Sequence, residues 1–304
     1  MPLPDEVIVY PGHGAGSACG KNMSRETTDT LGHQKKVNYA LRANMTREEF
    51  IKEVTEGLVE PPQYFPFNVL MNLKGGLESI DDIITRGKRP LTAPEFQTVW
   101  ESLEALVLDT RKKEEFVAEH IPGSIFIGLD DNFAPWAGTL IPDLKMPVLF
   151  LADEGREEEV VIRLSRVGYD NTVGFLKEGM KAWKEAGFET ARIHEISPED
   201  FANLYEMDSP HVNLLDARRR SEFESEHIVG AVNFPLDFIN QHMAELDRNK
   251  KYFIHCAGGF RSVIMCSILQ ARGFENLVNI RGGYKALSQT GLKKTHYVEP
   301  TTML

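Results

Sequence analysis

Short apolar runs alternate with helically spaced apolar positions along most of the chain. The order is plainest between residues 212 and 288. Val212 to Leu215 predicts a strand, Ser221 to Glu226 a short helix, Ala231 to Phe234 a strand, and Leu236 to Leu246 a segment with helical spacing. Tyr252 to His255 is again a strand, Ser262 to Arg272 a helix, Leu277 to Ile280 a strand, and Tyr284 to Ser288 a helix. Alternation of this kind implies βαβ units and a mostly parallel sheet covered on both faces, hence an α/β fold class. Ligands of such sheets bind outside the carboxyl ends of the strands.

The pattern occurs twice. Val107-Leu108-Asp109-Thr110-Arg111 through Phe116, His120 and Gly123 matches Leu214-Leu215-Asp216-Ala217-Arg218 through Phe223, His227 and Gly230, each pair 107 positions apart. Gly179-Met180-Lys181-Ala182 matches Gly283-Tyr284-Lys285-Ala286 at a spacing of 104, so three residues are lost between copies. A repeat of that length is domain-sized, well above a solenoid period. The expected division is an opening segment over 1–90, a first copy over 91–192 and a second over 193–304.

The opening segment does not repeat. Val7 to Tyr10 predicts a strand followed by the loop Pro11-Gly12-His13-Gly14. Thr46-Arg47-Glu48-Glu49 is a capping box opening a helix to about Leu58. Glu60 to Phe67 reads as an extended aromatic and proline stretch, and Lys88 to Pro94 as a linker. The segment lacks strands to complete its own sheet, so Tyr64, Phe65 and Phe67 are expected to pack against a repeat or a partner chain.

Composition narrows the classes. Apolar residues make up 42% of the 304, enough for a sizeable core. With 34 Lys and Arg against 45 Asp and Glu, the net charge is −11. That argues against a nucleic-acid partner, because phosphate binding needs clustered cations. No apolar run approaches the roughly 20 residues a membrane span takes, and the N-terminus does not read as a secretory signal. Three cysteines, Cys19, Cys256 and Cys266, are not a disulfide framework, so reduced thiols and a cytoplasmic location are expected.

Candidate chemistry gathers at Tyr252-Phe253-Ile254-His255-Cys256-Ala257-Gly258-Gly259-Phe260-Arg261-Ser262. A strand, a cysteine, a glycine-bearing loop, an arginine and a helix follow one another. Successive N–H groups of such a loop form an anion-binding nest, and the helix adds its positive end. Gly258 and Gly259 permit the turn. A cysteine at its base is expected to be an activated nucleophile with a lowered pKa, and the nest suits an anionic sulfur. The competing reading of Cys256 is a buried structural thiol. Cys266, among Val263, Ile264, Ile268 and Leu269, reads as core, and His255 as a packed histidine.

Cys256 to Arg261 resembles the active-site loop of rhodanese sulfurtransferases. Asp216-Ala217-Arg218, Glu222-Phe223 and His227-Ile228-Val229-Gly230-Ala231 match that family's first half, and the resemblance covers about residues 92 to 290. It implies a sulfurtransferase with Cys256 and Arg261 as catalytic residues. Ala257, Gly258, Gly259, Phe260 and Ser262 would form the substrate loop, with Asp216, Arg218 and His227 bracing it. Cys256 would carry sulfane sulfur as a persulfide, from a small sulfur-containing anion to a thiol or cyanide-like acceptor, with no cofactor. In that family four residues between Cys and Arg go with sulfur transfer, and five with phosphatase or arsenate-reductase relatives. Here the four are Ala257 to Phe260. The alternatives are a non-catalytic binding or regulatory module and a fragment of a metal-dependent persulfide dioxygenase or hydrolase.

The first copy has no cysteine, and carboxylates crowd its Leu151 to Glu159 loop, so it reads as an inactive partner domain. Gly14 to Asn22 fails the phosphate-loop pattern at Ala15 and Asn22. Val7 to Gly14, with Gly32-His33-Gln34 after it, resembles the C-terminal end of metallo-β-lactamase-fold hydrolases of the glyoxalase II and persulfide dioxygenase type. The chain thus resembles the C-terminal portion of a metallo-hydrolase–rhodanese fusion. The superfamily's H-x-H-x-D-H cluster is missing from the sequence, so His13 is expected to be a remnant ligand position and no metal is expected to bind. Self-association through the opening segment is a further expectation.

Overall fold

The computed structural model describes residues 3–12, 26–41, 44–55, 64–75 and 78–298. These fall into two compact units. One takes residues up to 55 with 224–226 and 296–298, and the other takes 64–223 and 227–295.

In the smaller unit, β1 (Ile8–Val9) pairs antiparallel with β2 (Asp29–Thr30), which runs directly into the helix Leu31–Val37. The expected capping box forms: the Thr46 N–H donates to Glu49 and the Glu49 N–H donates to the Thr46 hydroxyl, opening the helix Arg47–Thr55. Residues 56–58 of that expected helix, and His13 and Cys19, lie outside the described residues.

The larger unit holds the two repeats. The first sheet contains β3 (Pro90–Leu91), β4 (Leu106–Asp109), β5 (Ile125–Phe126), β6 (Val148–Leu151) and β7 (Thr172–Leu176), in the order β3-β7-β6-β4-β5. The second contains β8 (His194–Ile196), β9 (Asn213–Asp216), β10 (Val232–Asn233), β11 (Tyr252–His255) and β12 (Leu277–Ile280), in the order β8-β12-β11-β9-β10. The two orders are the same, and within each sheet the neighbouring strands run parallel. Both β6 and β11 are buried along their whole length, which is why they read as unbroken apolar runs.

The helix Phe260–Ala271 is buried without a break from Ser262 to Leu269. A helix apolar all round must be covered all round. The second sheet lies on one side and the first repeat on another. There the Phe126 N–H at the edge of β5 donates to the Ser267 hydroxyl at 3.0 Å. The Asn240 amide likewise donates to the Leu140 carbonyl at 2.9 Å. One apolar cluster runs from Phe116, Phe126 and Phe150 of the first repeat through Val263, Met265 and Leu277 of the second.

Three expectations need correction. Tyr64 to Phe67 is not extended but opens the helix Tyr64–Lys74. Pro66 stands in its first turn, where a missing N–H costs nothing. The stretch Lys88 to Pro94 holds β3, paired with β7, rather than a plain connection. Leu236 to Leu246 is not one helix but a 3₁₀ turn (Leu236–Phe238), a short helix (Ile239–His242) and a second 3₁₀ turn (Met243–Glu245). Its fully buried side chains, Leu236 and Ile239, stand three residues apart, the spacing of a 3₁₀ turn.

Tyr64 meets the expectation set for it: its ring covers Gly138 so closely that a methyl group there would collide with it. Phe65 and Phe67 are half exposed, at 47% and 54%. Tyr64→Ala is therefore expected to cost about 1–3 kcal/mol of unfolding free energy, and Phe67→Ser less than about 0.5 kcal/mol. Urea unfolding of both variants checks this, and equal losses would contradict the placement.

Candidate functional site

The expected loop leaves β11 and turns into the helix Phe260–Ala271 at Gly259, whose φ of +98° lies in the left-handed region that favours glycine. The turn brings the Gly259 N–H to the Cys256 Sγ at 3.1 Å, and the Ser262 hydroxyl donates to the same sulfur at 3.6 Å. Cys256 is 1% exposed. It lies in a cleft of about 400 Å³ lined also by Ala257, Gly258, Phe260 and Arg261.

What orients the loop is its backbone. The Cys256 carbonyl accepts from the Tyr284 N–H and the Ala257 carbonyl from the Lys285 N–H, both in the first turn of the helix Gly283–Leu287. Bonding there draws the carbonyl ends of both peptides toward that helix. Gly283 makes the approach possible: its φ is +59°, and a side chain there would strike the Cys256 carbonyl oxygen.

Asp216 and Arg218, expected as supporting residues, pair beside this arrangement. The Asp216 carboxylate, fully buried at the end of β9, accepts from Arg218 Nε at 2.9 and 3.0 Å and from the guanidinium again at 2.6 Å. That fixes the guanidinium 3.9 Å above the Tyr284 ring. His227 lies outside the cleft lining. Its ring stacks on Phe223 at 3.6 Å and its Nδ1–H donates to the Phe223 carbonyl at 2.7 Å. It steadies the helix Arg220–Ser225, which carries Glu222. The same pairings recur in the first repeat with Asp109, Arg111, Phe116 and His120.

Arg261 is the second catalytic residue that the resemblance leads one to expect. It lines the cleft, but its guanidinium is held fork-on-fork by Glu222, at 2.6 and 2.8 Å. Burial pushes the Glu222 carboxyl up, but the Arg261 hydrogen bonds and charge, helped by the Arg219 N–H and Arg218, outweigh it and hold it below its ordinary value. Arg261 is not a lone cation beside the nest but half of an ion pair. Cys266 is fully buried, and burial pushes its thiol far up, as a core residue requires. His255 is fully buried with its Nε2 lacking a hydrogen bond, and burial lowers its pKa from 6.5 despite Asp216 at 3.8 Å.

Asp131, Asn132 and Trp136, all from the cysteine-free repeat, complete the cleft wall, together with Arg219 and Glu222. Phe260 meets that repeat edge-on at Phe126, with 5.6 Å between ring centres. The sequence carried no signal for the contribution of Asp131, Asn132 and Trp136, because they lie more than 100 positions before Cys256. Glu222 was within reach, since Glu-Phe recurs at Glu115-Phe116. Among the described residues no group of three or more His, Cys, Asp or Glu is placed to hold a metal. His33 is paired to Asp29 at 2.6 Å.

The two repeats are parallel α/β domains, and the second carries a cysteine loop with two donors aimed at its sulfur. A family model described as the rhodanese-like domain matches residues 92–186 and 197–290, and the chain belongs to that family. A sulfurtransferase of Allochromatium vinosum is 30% identical over 100 residues, 33% of this chain and 92% of that protein. YrkF of Bacillus subtilis is 32% identical over 111 residues, 36% of this chain, and the chain spans 58% of its length. A solved metallo-β-lactamase from Staphylococcus aureus is similar at 29% identity, covering 57% of this chain and 46% of that one with a TM-score of 0.42. Family membership and the sulfurtransferase relative support a sulfur-transfer role. No helix among the described residues is long and apolar enough to cross a membrane.

Two outcomes follow from the site's backbone and its buried histidine. Gly283→Ala is expected to cost about 2 kcal/mol or more, while Gly258→Ala, with open space around it, stays within about 1 kcal/mol. Similar losses in urea unfolding would contradict the buttress. His255 takes up its proton near 6.5 when unfolded and at lower pH when folded. The unfolded chain therefore binds more protons in that window, so this group's contribution to stability falls as pH drops through about 6.5. His255→Gln should flatten that slope, and an unchanged slope would contradict it.

Proposed function

We propose that the chain is a rhodanese-type sulfurtransferase working through Cys256. The observation that carries this reading is the Cys256 sulfur at the base of a cleft, with the Gly259 N–H and the Ser262 hydroxyl both donating to it. The Cys256 thiolate attacks the outer sulfur of a thiosulfate- or persulfide-like donor. The donor's S–S bond breaks, its remainder leaves with the bonding pair, and Cys256 keeps the sulfur as Cys256–S–S⁻. A thiol or cyanide-like acceptor then attacks the terminal sulfur. A bond forms to the acceptor, the Cys256 disulfide-type bond breaks, and the thiolate returns. The Gly259 and Ser262 donors and the helix end favour the charge of the persulfide. Ala257, Gly258 and Phe260 shape the loop around it.

Cys256→Ser is near in shape but leaves a protonated alcohol in place of the nucleophile. It should lower thiosulfate:cyanide turnover at least about a thousandfold while moving stability by less than about 1 kcal/mol. Full turnover in that variant would end the assignment. Arg261→Ala strips Glu222 of its partner and leaves a carboxylate beside the cleft, so the KM for thiosulfate should rise about tenfold. Adding Glu222→Gln should return most of that loss. Additive losses in the double variant would show that Arg261 acts on the donor independently of Glu222.

A further inference from the structure

Two cations line the cleft, but Arg261 is committed to Glu222 and Arg219 lies 3.5 Å from Asp237, so a further cation would strengthen its pull on anions. The first repeat has one in place. Lys113 opens the helix Lys113–Ala118, just beyond the carboxyl end of β4. A methyl group placed on Gly259, whose N–H holds the Cys256 sulfur, would sit 3.8 Å from the Lys113 Nζ. The same ammonium also acts on a residue of the cleft wall. Asp131, which lines it, has its carboxyl raised by burial and by Asp130, and Lys113 is the neighbouring cation that opposes this. The partner of Lys113 is the adjacent Glu114 at 3.3 Å, with a side chain 77% exposed. Such an exposed pair is weak and leaves the ammonium's field largely available.

We propose that Lys113, supplied by the cysteine-free repeat, is the positioning cation that draws anionic sulfur donors onto the Cys256 loop, with Asp131 opposing it at the same cleft. The cysteine-free repeat is then part of the binding site for the donor. The donors it serves are small oxyanions and persulfide anions, whose negative end lies toward Gly259. This rests on the reading of Cys256 as the reactive sulfur, but its test does not need turnover.

The test compares alkylation of Cys256 by iodoacetate, an anion, with alkylation by neutral iodoacetamide. Rates are read at the Cys256 peptide by mass spectrometry, at low ionic strength on the full chain. Lys113→Gln should lower the ratio of the two rates about three- to tenfold, and added salt should shrink the difference. Lys113→Arg should keep the ratio within about twofold, Asp131→Asn should raise it, and Lys112→Gln, a charge loss on the exposed neighbour, should leave it within about twofold. An unchanged ratio in Lys113→Gln, or an equal fall with both reagents, overturns the proposal. Thiosulfate kinetics separate the two claims. If the wild type turns over and Lys113→Gln keeps its KM, Lys113 has no such role though sulfur transfer stands. If the wild type shows no turnover but the ratio moves as stated, sulfur transfer fails and the cation stands.

Discussion

Two hydrogen bonds from one helix decide which way the loop after β11 faces. The Tyr284 and Lys285 N–H groups take the Cys256 and Ala257 carbonyls, and the loop that follows closes with the Gly259 N–H on sulfur. Several features that look separate depend on this. Gly283 has no side chain because the Cys256 carbonyl fills the space one would take. Arg218 lies over Tyr284 and is itself held by the buried Asp216 carboxylate at the end of the neighbouring strand. The desolvation cost of that buried ion pair is met by multiple short hydrogen bonds.

The two repeats share one apolar core, so the cysteine-free copy cannot be regarded as a detachable appendage. Its β5 edge is covered by the helix that begins in the Cys256 loop, and Phe126 meets Phe260 of that loop. The first repeat has no cysteine, yet it packs into the apolar core that the two copies share. Of the carboxylates in its own loop region, Glu159 pairs with Arg156 and Glu158 with Lys88. Its remaining influence on the site is exerted through the cleft wall.

Much of the fold was legible because central parallel strands are buried on both faces and so read as short apolar runs. Tyr252–His255 and Leu277–Ile280 match the expected bounds. The repeat spacing carried the rest of the architecture, since Asp109 and Asp216 hold the same ion pair in both copies. Legibility failed where tertiary contact overrides local pattern. Leu236 to Leu246 has helical spacing, yet it breaks into 3₁₀ turns under two buried side chains. Nothing local marks Arg261 as Glu222's partner, because their pairing spans 39 positions. The cysteine loop itself was legible because strand, glycines and helix must be contiguous for the turn to close.

The central claim is that the cleft holds Cys256 as a sulfur carrier. The most direct measurement is the mass of the intact protein after thiosulfate treatment and desalting, with peptide mapping of the modified residue. The account predicts one added sulfur, located on Cys256 and released by cyanide. No added sulfur, or sulfur found on Cys19 or Cys266 instead, would contradict it.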